Sequence, residues 1–239
     1  MSVIDNVFNK RREIDYFLSL MTGDEKHEPS SISTLDVIWV LFEKILNLTP
    51  ENITSDLRDR FFLSKGHGPM AFYSILALKG FISPEILNTY GEYDSILGYH
   101  PDRTKMDCIE ISSGSLGHGL PMALGSIYGL RARRITGPEH WVLMGDAELD
   151  EGSNFEAIAF AGRNSVSELN LIVIDNDSAS LGWPGGVGHR FSVEGWEVSN
   201  VDGRDHAALY EAFKKSHPYK PHVIIASVET KSGNPRRSF

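Results

Sequence analysis

Two apolar runs, each ending in small and acidic residues, constrain this chain more than any other feature. Trp141-Val142-Leu143-Met144 leads into Gly145-Asp146-Ala147-Glu148, and Leu171-Ile172-Val173-Ile174 leads into Asp175-Asn176-Asp177. Short continuous apolar runs bounded by turn residues are the pattern of strands buried on both faces. Asp146 and Asn176 lie thirty residues apart, about the length of one βαβ unit. That spacing places a carboxylate and an amide at the carboxyl ends of two parallel strands, where open α/β sheets bind ligands. With a nearby carbonyl, they make a hard-oxygen site that suits Mg²⁺, which keeps open positions for phosphate oxygens.

The rest of the chain supports an α/β fold, a parallel sheet with helices on both faces. Strands are expected at Arg60–Leu63, Ile109–Ser112, Trp141–Met144, Leu171–Ile174, Trp196–Ser199 and His222–Val228. Helices are expected at Ile4–Met21, Leu35–Leu48 with Ser33 near its start, Pro69–Leu78, a segment opened by Ser83-Pro84, Pro121–Arg133, Gly152–Gly162 and Ala207–Lys215. Gly182 to Gly188 reads as a surface loop. Alternation of strand and helix argues for a parallel sheet, and with no repeat or linker the simplest organisation is one domain over residues 1–239.

Composition limits the partners. The net charge is −9 and no run of Lys or Arg stands out, which argues against nucleic acid or an anionic membrane. An acidic protein that binds a diphosphate needs local compensation from a metal, backbone N–H groups or histidine. One cysteine, Cys108, excludes an internal disulfide and fits a reducing compartment. The polar start, Met1 to Arg12, shows no secretory signal, and no apolar run is long enough to span a membrane, so a soluble cytoplasmic protein is expected.

Four constellations carry candidate chemistry. In Gly145-Asp146, Asp can simply shape a turn, and Asn176 can close an Asx-turn at its strand end. Three features favour a ligand site instead: the matched strand ends, Glu151-Gly152 opening a helix whose N-terminus favours a diphosphate, and small Gly145 and Ala147 that admit an anion to the backbone. Glu151 has an ordinary explanation too, since acidic residues suit any first helical turn. The second constellation, Ser64-Lys65-Gly66-His67-Gly68, presents a histidine between glycines after a strand, where a lone loop histidine is otherwise just solvated. In the third, Gly98-Tyr99-His100-Pro101, proline holds His100 extended, or the segment is an ordinary turn. The glycines of the fourth, Ser112 to Gly119, allow either tight strand-to-helix packing or backbone contact with a flat ring.

In this order the four constellations resemble the N-terminal, diphosphate-binding domain of the transketolase family, over nearly the whole chain. Ser64–Gly68 is similar to the family's Ser-x-Gly-His-Gly, and Tyr99-His100-Pro101 to its Gly-His-Pro. Ser112–Gly119 is similar to Thr-Thr-Gly-x-Leu-Gly-x-Gly, and Gly145–Gly152 to Gly-Asp-x(4)-Glu-Gly followed by Asp-Asn. The resemblance implies thiamin diphosphate with Mg²⁺, or Ca²⁺ or Mn²⁺ in its place. It implies Asp146, Asn176 and the carbonyl of Ser178 as metal ligands. It implies an Ala147 N–H on the diphosphate, with Gly145 and Glu148 also at the cofactor. His67 and His100 would stand near the diphosphate and the thiazolium and handle substrate hydroxyl protons. Gly114, Ser115 and Leu116 would line the cofactor rings, and Glu151 would join an acidic network between paired sites.

There are departures from the family pattern. Ala147 replaces a glycine, and His118 stands where many relatives carry Gln. The family's early Gly-His-Pro-Gly-Gly survives only as Lys26-His27-Glu28-Pro29-Ser30, with His27 in the histidine's place. The segment after Asn176 is shorter than usual, which predicts altered access to the cofactor.

The implied reaction is transfer of a two-carbon ketol unit from a ketose to an aldehyde. The sugar substrate is phosphorylated or nucleotide-linked among the options. A separate C-terminal transketolase subunit would supply the pyrimidine-binding domain and the activating glutamate, with the chain active only in that assembly. Two alternatives stay open: thiamin-diphosphate-dependent decarboxylation of a 2-oxo acid with carboligation, and a non-catalytic assembly subunit. No Gly-x-Gly-x-x-Gly follows a strand, which disfavours a nicotinamide dehydrogenase.

Overall fold

The computed structural model describes residues 3–22 and 28–233. The chain opens with helices α1 (Val3–Leu20) and α2 (Glu28–Lys44), then strand β1 (Arg60–Leu63) and helices α3 (Met70–Leu78) and α4 (Gly119–Ala132). Strict alternation follows: β2 (His140–Gly145), α5 (Gly152–Arg163), β3 (Leu169–Asp175), α6 (Val187–Val193), β4 (Glu197–Asp202), α7 (His206–Phe213) and β5 (His222–Ser227). The strands form one parallel sheet in the order β1-β2-β3-β5-β4. The expected fold class is the observed one.

The order explains the layers. Passing from β2 to β3 and from β3 to β4, the chain advances across the sheet, and α5 and α6 pack on one face with α4. From β4 to β5 it steps back, and α7 packs on the other face with α1, α2 and α3. Parallel crossovers are right-handed almost without exception, so a reversed step must change faces. Side chains of a strand alternate between faces. Trp141 and Leu143 accordingly enter one core while Val142 and Met144 enter the other, and Ile172 and Ile174 divide from Leu171 and Val173 in the same way. Burial on both faces is why these strands read as continuous apolar runs. Among the described residues, no helix is long and apolar enough to cross a membrane.

Four local expectations need correction. Helix α2 begins at Glu28, seven residues before Leu35, and ends at Lys44 rather than Leu48. Ser33 and Thr34 do not cap it: their hydroxyls donate to the carbonyls of Ser30 (2.7 Å) and Ser31 (2.9 Å), inside the helix. Pro84–Thr89 is a short 3₁₀ helix, and the Ser83 side chain makes no capping bond to it. Ile109–Ser112 is not a strand. Its side chains Ile109 and Ile111 are buried, but Ser112 accepts from the Arg103 N–H and donates to Asp102, folding the segment onto a neighbouring loop. Within the expected loop Gly182–Gly188, α6 begins at Val187, because Phe191 is driven into the core against Trp196.

Two histidines are enclosed where strands begin, at the end of the sheet opposite the candidate site. His140 is 1% and His222 0% exposed, and their Nε2 atoms pair with the hydroxyls of Ser126 and Ser199, each at 3.0 Å. Burial pushes their pKa values from 6.5 down to about 4 and about 3. The folded protein therefore holds both rings neutral, while the unfolded chain protonates them below pH 6.5. Their contribution is complete above that pH and is lost as pH falls toward 4 and 3, at about 2 kcal/mol each by pH 5. The melting temperature should be flat above neutrality and decline below pH 6.5. The double variant His140→Gln, His222→Gln should flatten that decline; an unchanged acid slope would show that other groups cause it.

Candidate functional site

The carboxyl ends of β1, β2 and β3 converge on a buried acidic turn. Residues Asp146–Asp150 form a 3₁₀ turn between β2 and α5, with Asp146 and Glu148 each only 1% exposed. Glu148 points beneath the surrounding loops. Its Oε2 accepts from the Ser64 hydroxyl after β1 (2.6 Å) and from the Gly117 N–H (3.3 Å), and its Oε1 accepts from the Gly145 N–H (3.2 Å). Burial pushes its carboxyl up from the ordinary glutamate range, against these hydrogen bonds. Glu148 thus joins three site segments from below.

Asp146 faces the turn that follows β3. It accepts from the N–H groups of Ser178 (2.6 Å), Ala179 (3.1 Å) and Ala147 (3.0 Å), and from the Ser178 hydroxyl (2.5 Å). Asp177, in the left-handed region at φ 59°, turns the chain so that these donors reach it. The Asn176 side-chain oxygen is buried there without a hydrogen-bond partner. A buried amide oxygen without a donor is costly, and a cation removes that cost. Among the described residues, no group of three or more His, Cys, Asp and Glu side chains assembles to hold a metal. The Asp146 carboxylate and the Asn176 amide oxygen fit a cation of the Mg²⁺ class, which takes one or two carboxylates and draws its other ligands from phosphates and water. A cation on Asp146 has to displace the Ser178 hydroxyl, which is free to rotate. The Ala147 N–H reaches both Asp146 and an anion only as a shared bond.

The glycine loop lies across this turn. His100 is exposed, and its ring packs against Gly66 and Gly114: a Cβ added to either would lie 3.2 and 3.4 Å from the imidazole. At Gly66 that Cβ would also lie 2.3 Å from the Ser113 Cβ, so no side chain fits, and Gly114 adopts φ +121°, where L-residues are strained. The loop is pinned by Ser113, whose N–H donates to the Pro101 carbonyl and whose hydroxyl donates to the Leu63 carbonyl (2.7 Å). Gly119 N–H donates to Ser64 Oγ at 3.2 Å. The structure thus gathers the His67 turn, His100 and Gly114–Leu116 around the end of β1. His67, Gly114, Ser115 and Leu116 are all exposed.

The remaining candidates occupy the rim. His118 is exposed just before α4, with Nδ1 3.3 Å from the Ser115 carbonyl. Glu151 is half-buried at the start of α5, packed on Gly117. His27 lies outside the described residues. Sequence reasoning passed over Lys65 and Asp150. Lys65 is the only enclosed lysine among the described residues, at 6% exposure; burial pushes its pKa down to about 8 against the pull of Glu148 and Asp146. A charged residue two positions after the strand Arg60–Leu63 was the available signal. Asp150 accepts from the Ser180 N–H and hydroxyl, both 2.7 Å, and so ties down the turn after β3.

The chain is similar to known proteins in sequence and fold. Residues 19–238 match the family model described as the thiamine diphosphate binding domain of transketolase. A Rhodococcoides fascians protein named "Ferredoxin fas2" is 50% identical over 92% of this chain and 72% of its own. An Actinobacillus succinogenes protein, named as one of the subunits of apulose-4-phosphate transketolase, is 33% identical over 87% of this chain and 77% of its own. The Campylobacter jejuni transketolase structure superposes with a TM-score of 0.74 at 27% identity, covering 95% of this chain but 38% of that protein. With its family model matched along nearly its whole length, this chain belongs to the transketolase family, in the part that binds thiamin diphosphate.

Proposed function

We propose that this chain is the diphosphate- and metal-binding subunit of a transketolase-like enzyme. The observation that carries the reading is the pairing of the partnerless Asn176 oxygen with the Asp146 carboxylate at adjacent strand ends. When bound, thiamin diphosphate supplies the ability to cleave a ketose beside its carbonyl and carry two carbons to an aldehyde. The chain's own residues bind and orient. Asp146, Asn176 and the Ser178 carbonyl hold the cation, with the Ala147 N–H toward the diphosphate. Gly114, Ser115 and Leu116 offer an exposed surface to the rings. His67 and His100, on neighbouring turns, exchange protons with substrate hydroxyls. The chain covers little more than a third of a full-length transketolase, and the Actinobacillus relative is named as part of a multi-chain enzyme. The relative's name supports a second chain that covers the rest of the coenzyme.

One observation favours a second reading. The 50% identical relative bears the name ferredoxin. Decarboxylating a 2-oxo acid to an acyl product leaves two electrons to remove, and iron–sulfur proteins accept electrons. Clusters need four ligands, typically cysteines, and this chain has one cysteine, buried Cys108. Any such carrier would therefore be built from residues other than these. Assaying the complex isolated with this chain, with ketose plus aldehyde and separately with 2-oxo acid plus an electron-accepting dye, separates the two readings.

Three outcomes test the main one. Asp146→Ala and Asn176→Ala should each abolish Mg²⁺-dependent binding of thiamin diphosphate by the assembled enzyme, measured by calorimetry; folded variants with unchanged affinity would remove the metal assignment. His67→Ala and His100→Ala should each lower turnover by about 10²–10⁴-fold with the fold intact. Wild-type turnover in either variant would make that histidine structural. The purified chain alone should show neither turnover nor tight coenzyme binding, and activity without a second protein would refute the two-chain reading.

A further inference from the structure

Lys65 is enclosed, yet its ammonium meets no carboxylate among the described residues. It donates to the Ser30 carbonyl (2.8 Å), the Ser30 hydroxyl (2.6 Å) and the Ser33 hydroxyl (3.3 Å). An ammonium has three protons, and these acceptors use all of them. No proton remains for a ligand, so Lys65 acts through position and charge.

The neighbouring hydroxyls extend the arrangement. Ser30 Oγ accepts from Lys65 and reaches the His67 carbonyl at 3.4 Å, and Ser33 Oγ accepts from Lys65 and donates to the Ser30 carbonyl at 2.7 Å. The aliphatic stem of Lys65 lies along Gly145, where a Cβ would stand 3.5 Å from Lys65 Cδ. The Lys65 N–H and the Ser64 N–H both donate to the Leu143 carbonyl, at 3.0 and 2.9 Å. One side chain therefore links the end of β2, the first turn of α2 and the His67 turn. A buried charge without a counter-ion costs stability. Here it lies close enough to Asp146 and Glu148 for both to attract it.

We propose that Lys65 is a positioning residue: through Ser30 it sets the His67 turn against the Asp146 strand end. Its fixed positive charge also offsets the acidic turn that must accept a diphosphate. This rests on the thiamin-diphosphate reading above and adds Ser30 and Lys65 to its machinery.

The test uses the complex assembled with its partner protein, with coenzyme affinity read by calorimetry alongside kcat and KM. Lys65→Met should weaken thiamin-diphosphate binding by about tenfold or more, as expected for loss of a charge-assisted contact. Ser30→Ala, a milder change that leaves Lys65 two acceptors, should weaken binding about threefold and lower kcat with KM for the sugar unchanged. In a His67→Ala background, Ser30→Ala should add no further loss, because the two residues act through one turn. A Ser30→Ala enzyme with wild-type affinity and kcat overturns the proposal. So does full additivity with His67→Ala, which would mark a general structural defect. Wild-type binding that Asp146→Ala abolishes keeps the parent reading in place while these variants decide this one. A wild-type complex that fails to bind the coenzyme sinks both.

Discussion

The site depends on one buried carboxylate. Glu148 accepts hydrogen bonds from Ser64, Gly117 and Gly145, which belong to three segments far apart in sequence. Loops that follow different strands have no backbone ladder to hold them together. Here a single carboxylate serves in its place, and its own carbonyl is held by the Asn154 amide at 2.6 Å. Burial raises the pKa of this carboxylate against the pull of its donors, so the folded protein gives up some of this acid's freedom to ionise. That loss goes into geometry. Removing Glu148 would leave the Ser64 hydroxyl and two backbone N–H groups enclosed without an acceptor.

The same crowding of acids defines what the site can accept. Asp146, Glu148 and Asp150 fall within one 3₁₀ turn, and Asp175 ends the adjacent strand. The protein satisfies much of this charge with N–H and hydroxyl donors: Ser178 and Ala179 on Asp146, Ser180 and Leu181 on Asp150. Among the described residues, Lys65 is the one lysine enclosed nearby. A diphosphate entering this neighbourhood meets repulsion unless a divalent cation comes with it. The partnerless Asn176 oxygen is a ready neutral ligand for such a cation, one that adds no further negative charge.

Periodicity made the sheet legible. Strands buried on both faces must be apolar throughout, and the five observed strands match five of the six expected runs. The pair Asp146 and Asn176 was legible because topology alone carries strand ends one βαβ unit apart to neighbouring positions. Elements set by long-range packing were not. Near the start of α2, Ser30 and Ser33 meet Lys65, more than thirty residues on. Ile109 and Ile111 look like strand residues because they are buried, yet the Ile109 N–H closes a local turn onto the Met106 carbonyl and the neighbouring Ser112 side chain bonds to the Asp102–Arg103 loop. Helix α6 sits in a glycine-rich stretch whose local preference is against it, and Phe191 and Trp196 override that preference through the core. Glu148 reads from sequence as one more acid at a ligand site, whereas its burial is a property of the assembled loops.

The short segment after β3 shows how the site is closed on one side and open on the other. Ser180 and Leu181 are bonded to Asp150, and Trp183 packs on Phe155 of the first turn of α5 at 4.9 Å. The Arg190 guanidinium lies over both rings, 3.9 Å from Phe155 and 4.3 Å from Trp183. Cation–π contact of this kind is strongest where water is reduced, and burial lowers the Arg190 pKa accordingly. The segment is therefore fastened to Asp150 and to the first turn of α5, as a strap rather than a loose loop. The opposite side carries no such cover among the described residues: His67, His100, Gly114, Ser115 and Leu116 are all exposed, with Leu116 at 44%. Aromatic coenzyme rings resting there would keep one face in water, where an ionisable ring gains nothing from a low-dielectric environment. On the reading proposed above, the exposed side of this site is where a second protein surface would fit to exclude water.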